Sequence, residues 1–221
     1  MKETPKKLAA EGLAFFGRMN AAISHDMRNV LAIINETASL LDELVELQQA
    51  GQIEPNPEKL RTLSRRIVQQ VERGQNVIGN MNAFAHSIDV PVREVDLARL
   101  MSVMAVLSRH FATGRTLNLS LPDEGPRVTT HPFFLNNLIH HTLNFAITAA
   151  GPEKKIGIAV KAGDGGGEIV FSGLATTEKT FPSEIAGILA TALGAGVYVD
   201  TGVGAISIVV PARMPGEVEL G

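Results

Sequence analysis

A three-and-four spacing of apolar residues near the N-terminus constrains this chain more than any other feature. Phe16, Ile23, Val30 and Leu44 form one series and Met27, Ile34 and Leu41 a second. The two alternate as the d and a positions of a heptad seam. The pattern predicts an amphipathic helix from Lys7 to Gln49, with residues 1–6 polar and frayed. Gly51-Gln52-Ile53-Glu54-Pro55-Asn56-Pro57 then reads as a turn, since Gly follows the helix and two prolines stop it. Asn56 is placed to cap a second helix, with Pro57 at its first position. That helix is expected to reach Ile88, with Leu60, Leu63, Ile67, Val71, Val77, Met81, Phe84 and Ile88 on its apolar face.

Two such helices make an antiparallel hairpin. A lone hairpin cannot bury both sides of its apolar face, and Ile33 and Leu40 widen that face further. Pairing with a second copy into a four-helix bundle solves this, so a homodimer is expected. The competing cover is the second half of the same chain.

At Asp89 to Val95 the period changes, because Pro91 cannot continue a helix. A mixed pattern follows. Leu97–Ala112, His131–Ala149 and Pro182–Leu193 read as helices. Val92–Val95, Thr116–Leu121, Arg127–Thr130, Lys155–Lys161, Glu168–Phe171, Gly196–Thr201 and Ala205–Val210 read as strands. Gly163–Gly167 reads as a hairpin turn and Arg213–Gly221 as a loose tail. The expected fold class is therefore α+β: a helical hairpin over residues 1–88, then an α/β sandwich over 89–221 with helices on one face of a mixed sheet.

Composition narrows the functional classes. The 221 residues carry a net charge of −3 and are 45% hydrophobic, so nothing points to nucleic acid. There is no cysteine, which removes disulfides and thiolate metal sites. No apolar run spans a bilayer and no signal-peptide pattern opens the chain, so a soluble, cytoplasmic protein is expected. His140 and His141 are adjacent on a helix and point about 100° apart, a poor chelating pair, so no metal site is expected.

The chemistry centres on Ser24-His25-Asp26-Met27-Arg28-Asn29-Val30-Leu31. In the heptad, His25 falls at f, farthest from the seam, with Asp26 beside it and Asn29 one turn on. An exposed imidazole can attack phosphorus, a neighbouring carboxylate can orient the ring or take its proton, and an amide can position water or a phosphoryl oxygen. The same spacing also fits an ordinary surface histidine on a charged helix face. The sequence Ser-His-Asp-x-Arg-Asn-x-Leu, however, resembles the H-box of two-component sensor histidine kinases. That resemblance implies His25 as the phosphoacceptor, Asp26 as the residue assisting transfer, and Asn29 as a possible dephosphorylation residue. Val30 stands where the family usually has Pro.

The second half resembles the family's GHKL (Bergerat-like) ATPase domain in its order of elements, through to Gly194–Val199 and Val209-Val210-Pro211. Its nucleotide-binding elements are altered. His131-Pro132 stands for the family's Asp-Pro, and His141 and Phe145 occupy the two usual magnesium-binding Asn positions. A phenyl ring offers magnesium no oxygen. Ser172 stands where the family's adenine-binding Asp is expected, without the glycines that follow it. Ala175–Pro182 is short for an ATP lid, and the helix after it opens with a single glycine, Gly187.

The resemblance with these departures points to a histidine phosphotransferase similar to the ChpT-type proteins. It implies a phosphoryl group carried on His25 between the aspartates of response-regulator receiver domains, with ATP and Mg binding lost and magnesium supplied by the receiver. A phosphotransferase is favoured over an ATP-dependent protein histidine kinase with a divergent pocket. A non-catalytic dimeric scaffold that binds a kinase or response regulator is the third reading.

Overall fold

The computed structural model describes residues 3–54, 56–163, 165–175 and 180–215. Helix α1 spans Glu3–Gln49 and α2 spans Pro57–Ala85. Residues 3–6 are helical, not frayed, and α2 stops three residues short of Ile88. Asn56 caps α2 as expected, its Oδ1 accepting from the Lys59 N–H at 3.0 Å. Two compact units result: residues 20–82 form one, and the residues up to Met19 join those from Ala83 onward in the other. The grouping thus cuts both helices, where the sequence pattern changes only at 88/89.

In the hairpin unit the seam on α1 is Ile23, Val30, Thr37 and Leu44 in one series and Met27, Ile34 and Leu41 in the other. Thr37 fills the d slot that the apolar series skipped. It is fully buried, and its hydroxyl donates to the Ile33 carbonyl at 2.6 Å. On α2 the inward positions are Leu60, Leu63, Ile67, Gln70, Gly74, Val77 and Met81. Val71 is not among them: it is exposed, and the heptad passes through Gln70 and Gly74 instead. Gly74 is there because the helices are close, since a Cβ on it would meet Val30 Cγ1 at 3.3 Å. Glu36 on α1 faces Arg66 on α2 at 3.9 Å.

A second apolar stripe remains uncovered on this unit. Leu31 and Val45 follow d positions of α1 by one residue, and Val71 and Ile78 follow Gln70 and Val77 by one on α2. All four are exposed. In an antiparallel pair, positions so related lie on one side of the hairpin.

In the other unit, β1 (Arg93–Asp96) pairs antiparallel with β3 (Arg127–Thr130) as a small sheet. The main sheet has the order β2-β4-β5-β7-β6. Its strands are β2 (Thr116–Ser120), β4 (Lys155–Gly163), β5 (Gly166–Ser172), β6 (Gly196–Asp200) and β7 (Ala205–Pro211). β2 is parallel to β4 and all other pairs are antiparallel, giving the expected mixed sheet. Register carries Ile158, Phe171 and Ile206 across one row and Val160, Ile169 and Ile208 across the next. These six are buried, so one face of the sheet is the core face. The helices are α3 (Leu97–Leu107), α4 (Pro132–Ala149) and α5 (Glu184–Leu193). On α4, Leu135, Leu138, Ile139 and Leu143 are fully buried, each contributing roughly 2 kcal/mol.

Three expectations are corrected. The helix drawn to Ala112 ends at Leu107 and gives way to a 3-10 turn at Arg109–Ala112. Most of the glycine-rich turn belongs to strands, with β4 reaching Gly163 and β5 starting at Gly166. The tail is anchored at its start: the Met214 N–H donates to the Thr129 carbonyl at 2.8 Å and Arg213 bridges Thr129. Residues 216–221, and 176–179 of the short lid segment, lie outside the described residues.

Asp96 joins the two sheets' surroundings. Its Oδ1 accepts from the Arg99 N–H at 2.9 Å, capping α3, and its Oδ2 accepts from the Gly125 N–H at 3.0 Å. Burial pushes its pKa up, but the backbone N–H groups of Arg99, Gly125 and Ala98, helped by Arg127, outweigh burial and hold the carboxyl below its ordinary value. Asp96→Ala is expected to cost about 1 kcal/mol of stability in urea unfolding at neutral pH. Because the folded-state value is depressed, this contribution is present above the ordinary carboxylate range and fades as pH falls through it, so variant and wild type should converge in acid.

Candidate functional site

The heptad puts the Ser24–Leu31 segment in the middle of α1, where helix geometry is regular. Val30 is 1% exposed and locks the segment to α2. The opposite side of the same turn therefore faces outward. The His25 side chain is 46% exposed and that of Asp26 is 25% exposed. Asn29 Nδ2 lies 3.3 Å from His25 Nδ1, and Asp26 Oδ1 lies 3.7 Å from the same atom. The structure thus brings together all three residues named from the sequence, and both neighbours converge on Nδ1. Arg28, one turn from Ser24, donates from Nε to the Ser24 carbonyl at 3.4 Å.

The chemical consequence concerns the tautomer. A carboxylate accepts only, so Asp26 favours the form with the proton on Nδ1 and the lone pair on Nε2. The carboxamide N–H of Asn29 favours the opposite form, with Nδ1 accepting. One nitrogen cannot serve both at once.

His141, Phe145 and Ser172 sit apart in sequence, on α4 and β5, and each is engaged by the chain itself. His141 Nε2 is 3.0 Å from Glu11 Oε1, and Glu11 also accepts from Arg18. Glu11 is a residue of α1, 130 positions away, and nothing in the sequence pattern pairs it with His141. The Phe145 ring packs on Phe181 with centroids 4.8 Å apart. The Ser172 hydroxyl donates to the Gly157 carbonyl at 3.4 Å.

Next to these, His140 is core. It is 1% exposed, between the rings of Phe15 and Phe111, each 5.2 Å away. Its Nε2 accepts from Asn144 Nδ2 at 2.9 Å, which leaves the proton on Nδ1, a buried atom with no partner among the described residues. Asn144, the neighbour of Phe145 in sequence, is thus committed to His140. His86, which carries no partner pattern in the sequence, pairs through Nδ1 with Asp89 Oδ2 at 2.6 Å.

The family model of the His Kinase A (phospho-acceptor) domain matches residues 17–88. The helical hairpin is thus similar to this domain over the matched residues. His25, Asp26 and Asn29 all lie among them, on the exposed side of α1. No curated protein matches the sequence. Among solved structures, the Acinetobacter baumannii histidine kinase AdeS matches with 12% identity and a TM-score of 0.46, covering 85% of this chain and 98% of its own. A bacterial phosphotransferase matches with 14% identity and a TM-score of 0.49, covering 89% and 95%. The mycobacterial sensor histidine kinase MprB matches with 17% identity and a TM-score of 0.45, covering 55% and 98%. No residue's role is taken from these likenesses. Among the described residues, no helix is long and apolar enough to cross a membrane.

Burial, with smaller effects from His141 and Arg18, drives the His140 pKa from its ordinary 6.5 down to about 3. The unfolded chain binds a proton below pH 6.5 that the folded chain refuses, so stability falls as pH drops from 6.5 toward 3. Urea unfolding at pH 7 and pH 5 should show a loss of about 2 kcal/mol from this group alone. His140→Phe should lack that increment, and an equal acid loss in wild type and variant would refute the assignment.

Proposed function

We propose that this chain is a histidine phosphotransferase of a bacterial two-component phosphorelay, holding a phosphoryl group on His25 between receiver-domain aspartates. The observation that carries the reading is the pairing of a complete phosphoacceptor group with a second domain whose nucleotide positions are taken up by its own side chains. His141 is tied to Glu11, Phe145 is stacked on Phe181, and Ser172 is bonded to a strand carbonyl. A magnesium-bound triphosphate would need oxygen ligands where a phenyl ring stands, and would meet the Glu11 carboxylate beside His141.

The chemistry proceeds with what remains. Asp26 favours the tautomer that keeps the proton on Nδ1, and Nε2 presents its lone pair to the phosphorus of an aspartyl phosphate. As the N–P bond forms, the acyl-phosphate P–O bond breaks and the receiver's carboxylate leaves as the anion. Positive charge on the ring is offset by Asp26 at Nδ1. Passage to a second receiver is the reverse step with a different carboxylate. No ATP is required, because the donor is already an activated phosphoryl group, and the receiver brings its own magnesium. Asn29, on the same nitrogen, is the residue placed to alter this balance by favouring the other tautomer or by orienting water. Response-regulator receivers are accordingly the proposed partners, and the cytoplasm the proposed compartment.

We also place a second copy of the chain on the uncovered stripe of the hairpin, through Leu31, Val45, Val71 and Ile78. Apolar residues from both helices lie there on one side, as a four-helix bundle requires.

Two outcomes are expected. Incubation with a phosphorylated receiver should label wild type and not His25→Ala, while labelled Mg·ATP should label neither. Labelling of His25 by ATP alone would replace the proposal with an ATP-dependent kinase, and transfer by His25→Ala would leave a scaffold. In sedimentation at micromolar concentration, wild type should be a dimer and Leu31→Glu with Val71→Glu a folded monomer, and a monomeric wild type would refute the bundle.

A further inference from the structure

A cleft of about 420 Å³ opens between the end of α2, β1, α3 and the start of α4. None of His141, Phe145 and Ser172 lines it, so it is separate from the altered nucleotide positions. Three guanidinium groups reach it, from Arg93, Arg99 and Arg127. Two carboxylates are also present, and both are already used. Glu94 accepts from Arg127 at 3.0 Å, and Asp96 accepts the backbone N–H groups of Arg99 and Gly125. The side chains of Arg93 and Arg99 have no ion pair or hydrogen bond among the described residues. The lining thus carries three cationic side chains against two carboxylates, and two of the cations have fork-shaped donors without a side-chain partner among the described residues, a set that can take a phosphate group through paired N–H bonds.

The rest of the lining sets the class of ligand. Leu100, Val103 and Pro132 form an apolar wall. Asn136, 4% exposed, also lines the cleft, and its buried Oδ1 has no hydrogen-bond partner among the described residues. A buried acceptor left unpaired is costly, and a ligand hydroxyl would satisfy it. The volume exceeds that of a phosphate ion and falls in the range of small-molecule sites. We infer that this cleft binds a hydroxylated phosphate monoester of sugar-phosphate size, its phosphate held by Arg93 and Arg99 and a hydroxyl turned to Asn136.

The test is calorimetric titration of the full chain with ribose 5-phosphate, ribose and inorganic phosphate, on wild type and on an Arg93→Gln, Arg99→Gln double variant. Ribose 5-phosphate is expected to saturate wild type below about 1 mM, with ribose and inorganic phosphate each weaker by at least about tenfold. The double variant should bind ribose 5-phosphate at least about tenfold more weakly while keeping the wild-type melting temperature, since both side chains are exposed. Three results would overturn the proposal: no saturation by ribose 5-phosphate up to about 10 mM, equal binding by the double variant, or binding of inorganic phosphate as tight as that of the ester. The last would reduce the cleft to a simple anion site.

Discussion

An aromatic cluster at the open end of the hairpin is the contact on which the larger unit depends. Phe15 meets Phe84 edge-on at 5.4 Å and Phe133 at 5.5 Å, while Phe84 lies 6.1 Å from Phe133. Phe15 and Phe84 come from α1 and α2, and Phe133 from the first turn of α4. Both hairpin residues are almost fully buried. Each such ring buries a large apolar area, with a further increment of about 1 kcal/mol per well-placed pair. This is why the compact unit takes in α1 up to Met19 and α2 from Ala83. It also brings Glu11, one turn from Phe15, to His141, and seats His140 against Phe15.

That arrangement links core packing to the proposed absence of nucleotide binding. An α4 that served a nucleotide would present polar ligands to an open pocket. Here the same helix sends His140 into the aromatic core as a neutral ring and gives His141 to a carboxylate from α1. The two adjacent histidine rings meet edge-on, with centroids 5.9 Å apart. The proposed phosphotransfer therefore rests on two separable features: a surface histidine whose neighbours meet at one ring nitrogen, and a second domain in which His141, Phe145 and Ser172 are each engaged by the chain's own groups.

The fold was largely legible because its signals are periodic. Hairpin, turn, cap and alternating strands all follow from spacing and from Gly and Pro placement, and His25, Asp26 and Asn29 stand together because residues one and four apart on a helix must. The misreadings share one cause. Val71 was assigned to the seam for being apolar, whereas the tight approach of Val30 selects Gly74, and the heptad through it selects Gln70. The tail was assigned as loose for lack of pattern, yet a single backbone pairing with Thr129 orders its start.

The sequence by itself determined the helix periods and the exposed grouping of His25, Asp26 and Asn29, because each depends on residue type and on neighbours within one or two turns. Only the tertiary structure decided what stands against His141 and Phe145, where the compact units divide, and which arginines share a cleft. Those depend on contacts such as Glu11 to His141, between residues 130 apart, and no local pattern encodes a contact that only the packing of α4 brings about.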